Sequence, residues 1–359
     1  MPTRAEMLHD SPWRGVLHVT GGGSGLLAEL LTTPGASDTV LEATVPYATT
    51  ALRDLLGRTP DQACAAATAR AMAMVAFERA RALAPDHNVD QLFGLGCTAS
   101  LATTREKRGA HRAFATIQTS TATRTFAFAL AADRATEERE LVEGLWLLLR
   151  RALELPLRAS TDAEPAETLT RAENDWRELL LGRRSAVASA PHDGRLLLPG
   201  AFNPLHQGHQ RMLALAEERT GLRGAYELSV ANVDKPPLDY TEIARRMAQF
   251  DRPVWLTRLP TFIEKARAFP GAVFAVGVDT LERIAAPRYY GDTIARDSAI
   301  AELRALDCRF CVFGRQTETG FQTLADLPLP PLLRSLCTGL ERSEFDDPSS
   351  STALRRRAT

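Results

Sequence analysis

Lysine is nearly missing from this chain: three in 359 residues, at Lys107, Lys235 and Lys265. Arginine carries most of the positive charge, and 43 basic against 44 acidic side chains leave a formal net charge of −1. That balance gives no bulk-electrostatic reason to expect nucleic acid or an anionic membrane as a partner. No run approaches the ~20 apolar residues of a transmembrane helix, and Met1–Asp10 has no apolar stretch of the kind a secretory signal needs. The five cysteines, Cys64, Cys97, Cys308, Cys311 and Cys337, are an odd, scattered set. A disulfide scaffold is therefore excluded, and a reduced, cytoplasmic setting is the expectation. Cys308 and Cys311 form a C-x-x-C, but they lie in Cys308–Phe313, which reads as a strand. Positions three apart in a strand point to opposite faces, and no second pair supports zinc, so no metal site is expected.

The length suits two domains, and a hydrophobic content of 45% is enough for ordinary globular cores. Residues 157–194 read as a linker carrying one helix, with Trp176, Leu179 and Leu180 on one side of it. This gives a first domain at 10–156 and a second at 195–359. In the second, strands are expected at Arg195–Leu198, Tyr226–Ala231, Val254–Thr257, Val273–Gly277 and Arg309–Phe313. Helices are expected at Gln210–Arg219, Thr241–Phe250, Phe262–Phe269, Thr280–Ala285 and Ser298–Leu306. Such alternation implies a parallel, doubly wound α/β sheet with its site at the strand C-termini. The first domain also alternates: strand Gly15–Thr20, helix Gly25–Thr33, strand Val40–Tyr47, helix Thr49–Leu56, helix Asp61–Leu83, strands Gln91–Leu95 and His111–Gln118, helix Glu138–Leu153.

The stretch richest in chemistry is Gly200-Ala-Phe-Asn-Pro-Leu-His-Gln-Gly-His209, between the first strand and first helix of the second domain. A tight glycine turn, then two histidines three residues apart at a helix start, suits polyphosphate. Backbone N–H groups and the helix dipole face the anion, and imidazole N–H groups add directed donors. The segment resembles the G-x-F-x-P-x-H-x-G-H signature of the nucleotidyltransferase superfamily. That group includes the nicotinate- and nicotinamide-mononucleotide adenylyltransferases, phosphopantetheine adenylyltransferase and the cytidylyltransferases. Gly200, Phe202, Pro204, His206, Gly208 and His209 occupy all its fixed positions.

The resemblance implies a Rossmann-like nucleotidyltransferase domain. In such enzymes a substrate phosphate attacks the α-phosphate of a nucleoside triphosphate in line, and pyrophosphate leaves. ATP is the implied donor, with Mg²⁺ on its phosphates. His206 and His209 take the places of the family's triphosphate-binding histidines, the second usually given the transition-state role. Gly200, Ala201, Phe202, Asn203 and Gly208 take the phosphate loop. Ser350-Ser-Thr-Ala-Leu-Arg355 resembles the superfamily's I-S-S-T-x-I-R, which assigns Ser350, Ser351, Thr352 and Arg355 to the phosphates; Ser349 stands where that motif has an apolar residue. Lys235, in Asn232-Val-Asp-Lys-Pro-Pro237, falls where mononucleotide adenylyltransferases place a lysine near the phosphates. Arg315 falls where they place an arginine after a strand. Asp279, in Gly277-Val-Asp-Thr280, resembles the G-x-D that meets ribose, or else caps a helix. Thr261 lies in Thr257–Ile263, which resembles the nicotinate-mononucleotide enzymes' loop before a helix; with Lys235-Pro-Pro237 and Gly277-Val-Asp279 it favours nicotinate or nicotinamide mononucleotide as acceptor. The family's tryptophan after the G-x-D helix is absent, and Tyr289 and Tyr290 nearby are either rings to stack on pyridine or packing aromatics.

Val19-Thr-Gly-Gly-Gly-Ser-Gly25, the leucine-rich helix after it, Pro34–Ser37 and Val45–Tyr47 resemble the CinA C-terminal domain, a family that includes nicotinamide-nucleotide amidohydrolases. Without a gap, that family's serine nucleophile falls on Gly21 and its lysine on Leu52, and its G-I-A-G-P loop is replaced by Gly96–Ser100. A catalytically degenerate domain is expected, one that binds, regulates or forms a homo-oligomer. Three alternatives stay open: another transferase of the superfamily using CTP or phosphopantetheine, a non-catalytic nucleotide sensor, and a bifunctional salvage enzyme with Ser24 as a displaced nucleophile.

Overall fold

A computed structural model describes residues 2–104, 109–156, 164–233, 235–317 and 320–347. The chain divides into two compact units. Unit 1 holds residues 1–177 together with 234–244, and unit 2 holds 178–233 and 245–359.

Unit 1 is built on a six-stranded sheet: β1 (Arg14–Thr20), β2 (Val40–Thr44), β3 (Leu92–Ser100), β4 (His111–Thr119), β5 (Ala122–Leu130) and β6 (Ala166–Arg171), in the order β2-β1-β3-β4-β5-β6. The first three strands run parallel, and β3, β4, β5 and β6 pair antiparallel in turn. Alternation decides the packing. Leu17 and Val19 of β1 join Leu26, Leu30, Leu145 and Leu149 in one core, while Val16 faces Ala76 and Ala80 of the alanine-rich helix Ala66–Leu83. The segment 235–244 adds Tyr240, fully buried, whose hydroxyl donates to the Ser120 carbonyl at 2.7 Å. Arg70 and Asp239 form a mostly buried pair at 3.1 Å.

Unit 2 carries a seven-stranded sheet: β7 (Ala186–Ala188), β8 (Leu196–Pro199), β9 (Gly224–Ser229), β10 (Val254–Thr257), β11 (Val273–Gly277), β12 (Arg309–Phe313) and, after the small hairpin β13 (Arg315–Thr317) and β14 (Gly320–Gln322), β15 (Cys337–Gly339). The order is β15-β12-β11-β8-β9-β10-β7, parallel throughout except β7. From β8 the chain winds outward through β9 and β10, then returns to β11 and winds the other way. This is the doubly wound α/β order, and it places a switch point between β8 and β11. Leu197, Ala225, Phe274, Val276, Phe310 and Val312 pack on Ala266, Leu281, Ile300 and Leu303 from the crossover helices.

Strands β10, β11 and β12 fall where their apolar runs predict them. The expected linker differs: its helix forms at Asn174–Leu180, but strands flank it, β6 pairing with β5 and β7 with β10. Gly96–Ser100 forms the second half of β3.

Candidate functional site

The switch point puts the loop after β8 beside the loop after β11, and most of the expected site residues lie on or next to these loops. Gly200 follows β8, with its N–H donating to the Glu227 carbonyl at 3.0 Å. Phe202 then takes φ 45°, in the left-handed region, and is buried. A bulky side chain there costs about 1–3 kcal/mol and persists only where its surroundings enforce it. The ring packs edge-on against Tyr226 at 5.2 Å, Phe250 at 5.1 Å and His209 at 5.1 Å. The same ring dictates the glycine before it, since a Cβ on Gly200 would lie 2.7 Å from Phe202 Cζ. The Asn203–Pro204 bond is cis.

His206 is the N-cap of the helix Gln207–Thr220. Its backbone N–H donates to His209 Nδ1 at 3.3 Å, and the two imidazoles stack with centroids 3.7 Å apart. Acceptance at Nδ1 leaves the His209 proton on Nε2, so the ring presents a neutral N–H donor. Burial, then the neighbouring His206, push its pKa down to about 3. His206 is also lowered, first by burial and also by Arg315, against the opposing pull of Asp347. Nδ1 of His206 is enclosed and has no hydrogen-bond partner among the described residues. Gly208 leaves room for this arrangement: a Cβ there would sit 3.0 Å from His206 Nδ1 and 3.3 Å from Asp347 Cγ. Asp347 is drawn in by Arg211 at 3.4 Å, and Arg211 also lies over the Phe345 ring.

Arg315, opening β13, pairs with Asp279 at 3.0 Å. Both line an open cleft of about 520 Å³ with Val278, Glu282, Gln316 and Gln322. Asp279 is not the cap of the helix Val278–Ala285, since Gly277 holds that position and Asp279 lies in the first turn. His206, His209, Gly200–Asn203, Gly208, Asp279 and Arg315 all belong to unit 2, at or next to the C-terminal ends of β8, β11 and β12.

The remaining expected residues fare differently. Lys235 is exposed and belongs to the segment grouped with unit 1. The Thr261 hydroxyl is engaged in a capping box, accepting from the Glu264 N–H and donating to its carboxylate at 2.6 Å. The Tyr289 ring is covered by the Arg288 guanidinium at 5.0 Å. Ser350, Ser351, Thr352 and Arg355 lie outside the described residues. Lys265, which motif reading passes over, is buried and bonds Glu227 Oε1 and the Leu259 carbonyl, each at 2.7 Å. Motif reading also passes over Arg245, Arg246 and Gln249, which bind the 200–206 turn. Arg245 donates to Asn203 Oδ1 at 2.5 Å, Arg246 Nη1 to the Ala201 carbonyl at 2.7 Å, and Gln249 Nε2 to the Phe202 carbonyl at 3.0 Å. In sequence these residues look like one polar helix face, and only tertiary placement reveals them.

In unit 1 the backbone donors of the glycine turn before the helix Ser24–Thr32 are occupied from within, beside a cavity of about 160 Å³. Glu138 accepts the Gly23 N–H at 2.8 Å, the Gly25 N–H at 3.0 Å and the Ser24 hydroxyl at 3.1 Å. Gly21 has φ 78°, and a Cβ there would fall 2.0 Å from the Ala99 carbonyl oxygen, so no nucleophilic side chain fits. Leu52 is buried with Leu56 and Met72.

No protein-family model matches the chain, and no curated protein matches it. Among solved structures, it is similar over part of its length to proteins of the competence-damaged (CinA) superfamily. One from Enterobacter cloacae is 18% identical, covering 43% of this chain and 94% of its own, at a TM-score of 0.34. One from Klebsiella pneumoniae is 16% identical over 42% and 94%, at 0.33. The competence/damage-inducible protein CihA from Agrobacterium tumefaciens is 15% identical over 44% and 98%, at 0.32.

Proposed function

We propose that unit 2 transfers a nucleotidyl group from ATP to a phosphate acceptor, with nicotinate or nicotinamide mononucleotide as the acceptor and pyrophosphate as the second product. One observation carries this reading: a stacked His206–His209 pair at a helix N-terminus, directly after the first strand of a doubly wound sheet and at its switch point. Such a reaction needs no covalent nucleophile. It needs the two phosphates aligned and donors aimed at the charge that builds on the pentavalent transition state. His209 offers a neutral Nε2–H held in place by the His206 backbone. His206 offers a ring nitrogen, Nδ1, that no described protein group bonds. The Arg315 guanidinium adds positive charge at the neighbouring strand end and exchanges Asp279 for phosphate when nucleotide enters. Asp279, released, accepts ribose hydroxyls.

Mg²⁺ fits as an ion that arrives on the nucleotide. It keeps mostly phosphate and water ligands, and among the described residues no group of three His, Cys, Asp or Glu side chains gathers to hold a resident metal. Asp347, beside Gly208 at the helix start, is the carboxylate that would help hold that ion. When bound, the ion supplies charge neutralisation along the triphosphate.

Unit 1 is read as a binding or regulatory domain. Glu138 occupies the N–H donors of its glycine turn, and the positions corresponding to the amidohydrolase nucleophile and lysine hold Gly21 and Leu52. The test is incubation of the full chain with ATP, Mg²⁺ and each mononucleotide, reading pyrophosphate. Turnover of either is the expected result. Silence with both sinks this version, and turnover with CTP or phosphopantetheine instead moves the chain elsewhere in the superfamily.

A further inference from the structure

We propose that Arg246 and Gln249 form a clasp that sets the 200–206 turn for polyphosphate, making them positioning residues of the transfer site. This rests on the nucleotidyl-transfer reading above. The left-handed Phe202 needs enforcement, and ring packing holds only its side chain. The backbone on either side is held by polar bonds. Arg246 Nη1 takes the Ala201 carbonyl at 2.7 Å. The Gln249 carboxamide spans the turn, donating to the Phe202 carbonyl at 3.0 Å and accepting the Leu205 N–H at 2.9 Å. Arg246 is only 9% exposed. A buried guanidinium costs desolvation that an apolar side chain would avoid, and its directed bond to the Ala201 carbonyl gives orientation that packing alone does not.

The direction of those bonds gives the clasp its purpose. In a trans peptide the carbonyl and the following N–H point opposite ways. Drawing the Ala201 and Phe202 carbonyls toward Arg246 and Gln249 turns the N–H groups of Phe202 and Asn203 to the far side. Successive N–H groups turned to one side make an anion-binding concavity. The Asn203 side chain is fixed as well, by Arg245 at 2.5 Å. Arg246 and Gln249 need touch no substrate to act, because they hold the backbone that does.

The test uses the full chain with Gln249→Met, Arg246→Lys and Arg246→Met. Three readouts are taken: hydrogen exchange of the Leu205 amide, calorimetric affinity for a non-hydrolysable ATP analogue, and pyrophosphate release. Gln249→Met is expected to speed Leu205 exchange and weaken analogue binding, each by about tenfold. Turnover should fall while the acceptor KM stays within about twofold. Arg246→Lys keeps a donor and is expected to retain more analogue affinity than Arg246→Met. Faster exchange with unchanged affinity and turnover would overturn the clasp, as would unchanged exchange in Gln249→Met. A wild-type chain that binds the analogue but releases no pyrophosphate would remove the transfer reading alone, since exchange and affinity still judge the clasp.

Discussion

His206 donates its backbone N–H to Nδ1 of His209 while the two rings stack at 3.7 Å, so one histidine fixes the proton position of the other. The pair behaves as one device: a cap residue orients a neutral donor at the start of a helix. His209→Ala removes that donor and leaves the turn and the rest of the cradle. Pyrophosphate release should fall by about 10²–10³-fold, with ATP affinity by calorimetry changed far less. Equal losses in both would recast His209 as a ground-state binding group.

The pH dependence follows from the same pair. With His209 held down to about 3, its Nε2–H donor is unchanged from about pH 5 upward. A pH–rate profile should therefore show no acid limb near the ordinary histidine value of about 6.5 that His209→Gln removes. Such a limb would mean that His209 works as a cation.

Gly208 is the place where a single methyl group tests the geometry. Gly208→Ala puts a Cβ against His206 Nδ1 and the Asp347 carboxylate. The helix gains from alanine intrinsically, by about 1 kcal/mol. Thermal stability should therefore change little, while ATP affinity drops by about tenfold or more. An alanine variant that binds ATP like wild type would show that the Asp347 side of the crevice yields freely.

Lys265 and Glu227 are both almost fully buried and bonded at 2.7 Å, and Thr257 donates to the same carboxylate. Lys265→Met strands the Glu227 charge and should cost about 3–5 kcal/mol in urea unfolding. Adding Glu227→Gln should recover much of that loss. If the double variant is as unstable as the single, the cost lies in packing and not in charge.

Unit 1 has its own pH signature. His18, buried in β1, has Nδ1 on Thr44 Oγ1 at 2.7 Å, and burial lowers its pKa to about 4. Between about 6.5 and 4 the unfolded chain takes up this proton and the folded chain does not. Stability is thus full above about pH 6.5 and falls as the pH drops toward 4. The slope of the unfolding midpoint over that window should flatten in His18→Asn; an unchanged slope would assign it to other groups.

What the sequence made legible was what local pattern determines. Val254–Thr257, Val273–Gly277 and Arg309–Phe313 are short apolar runs bounded by breakers, and their strands form there. Ala166–Arg171, Ala186–Ala188 and Cys337–Gly339 escaped notice because edge strands are short and half exposed, and their pairing partners lie far away in sequence. The histidine pair was legible because turn, spacing and helix start all sit in ten consecutive residues. Arg246 and Gln249 were not, because their partners are about 45 positions away and nothing local separates them from a solvated helix face. Lys235 shows the converse: its scarcity made it conspicuous, yet it is exposed, while Lys265 is buried and bonds Glu227.

The contact between Phe202 and Gly200 bears on how this site can vary among descendants. The aromatic ring occupies the space that any side chain at position 200 would need. The two positions are therefore not free to drift independently. A lineage that keeps the ring is confined to glycine two residues before it, whereas one that first shrinks the ring can accept alanine there. Loss of this turn should proceed in a fixed historical order, position 202 before position 200.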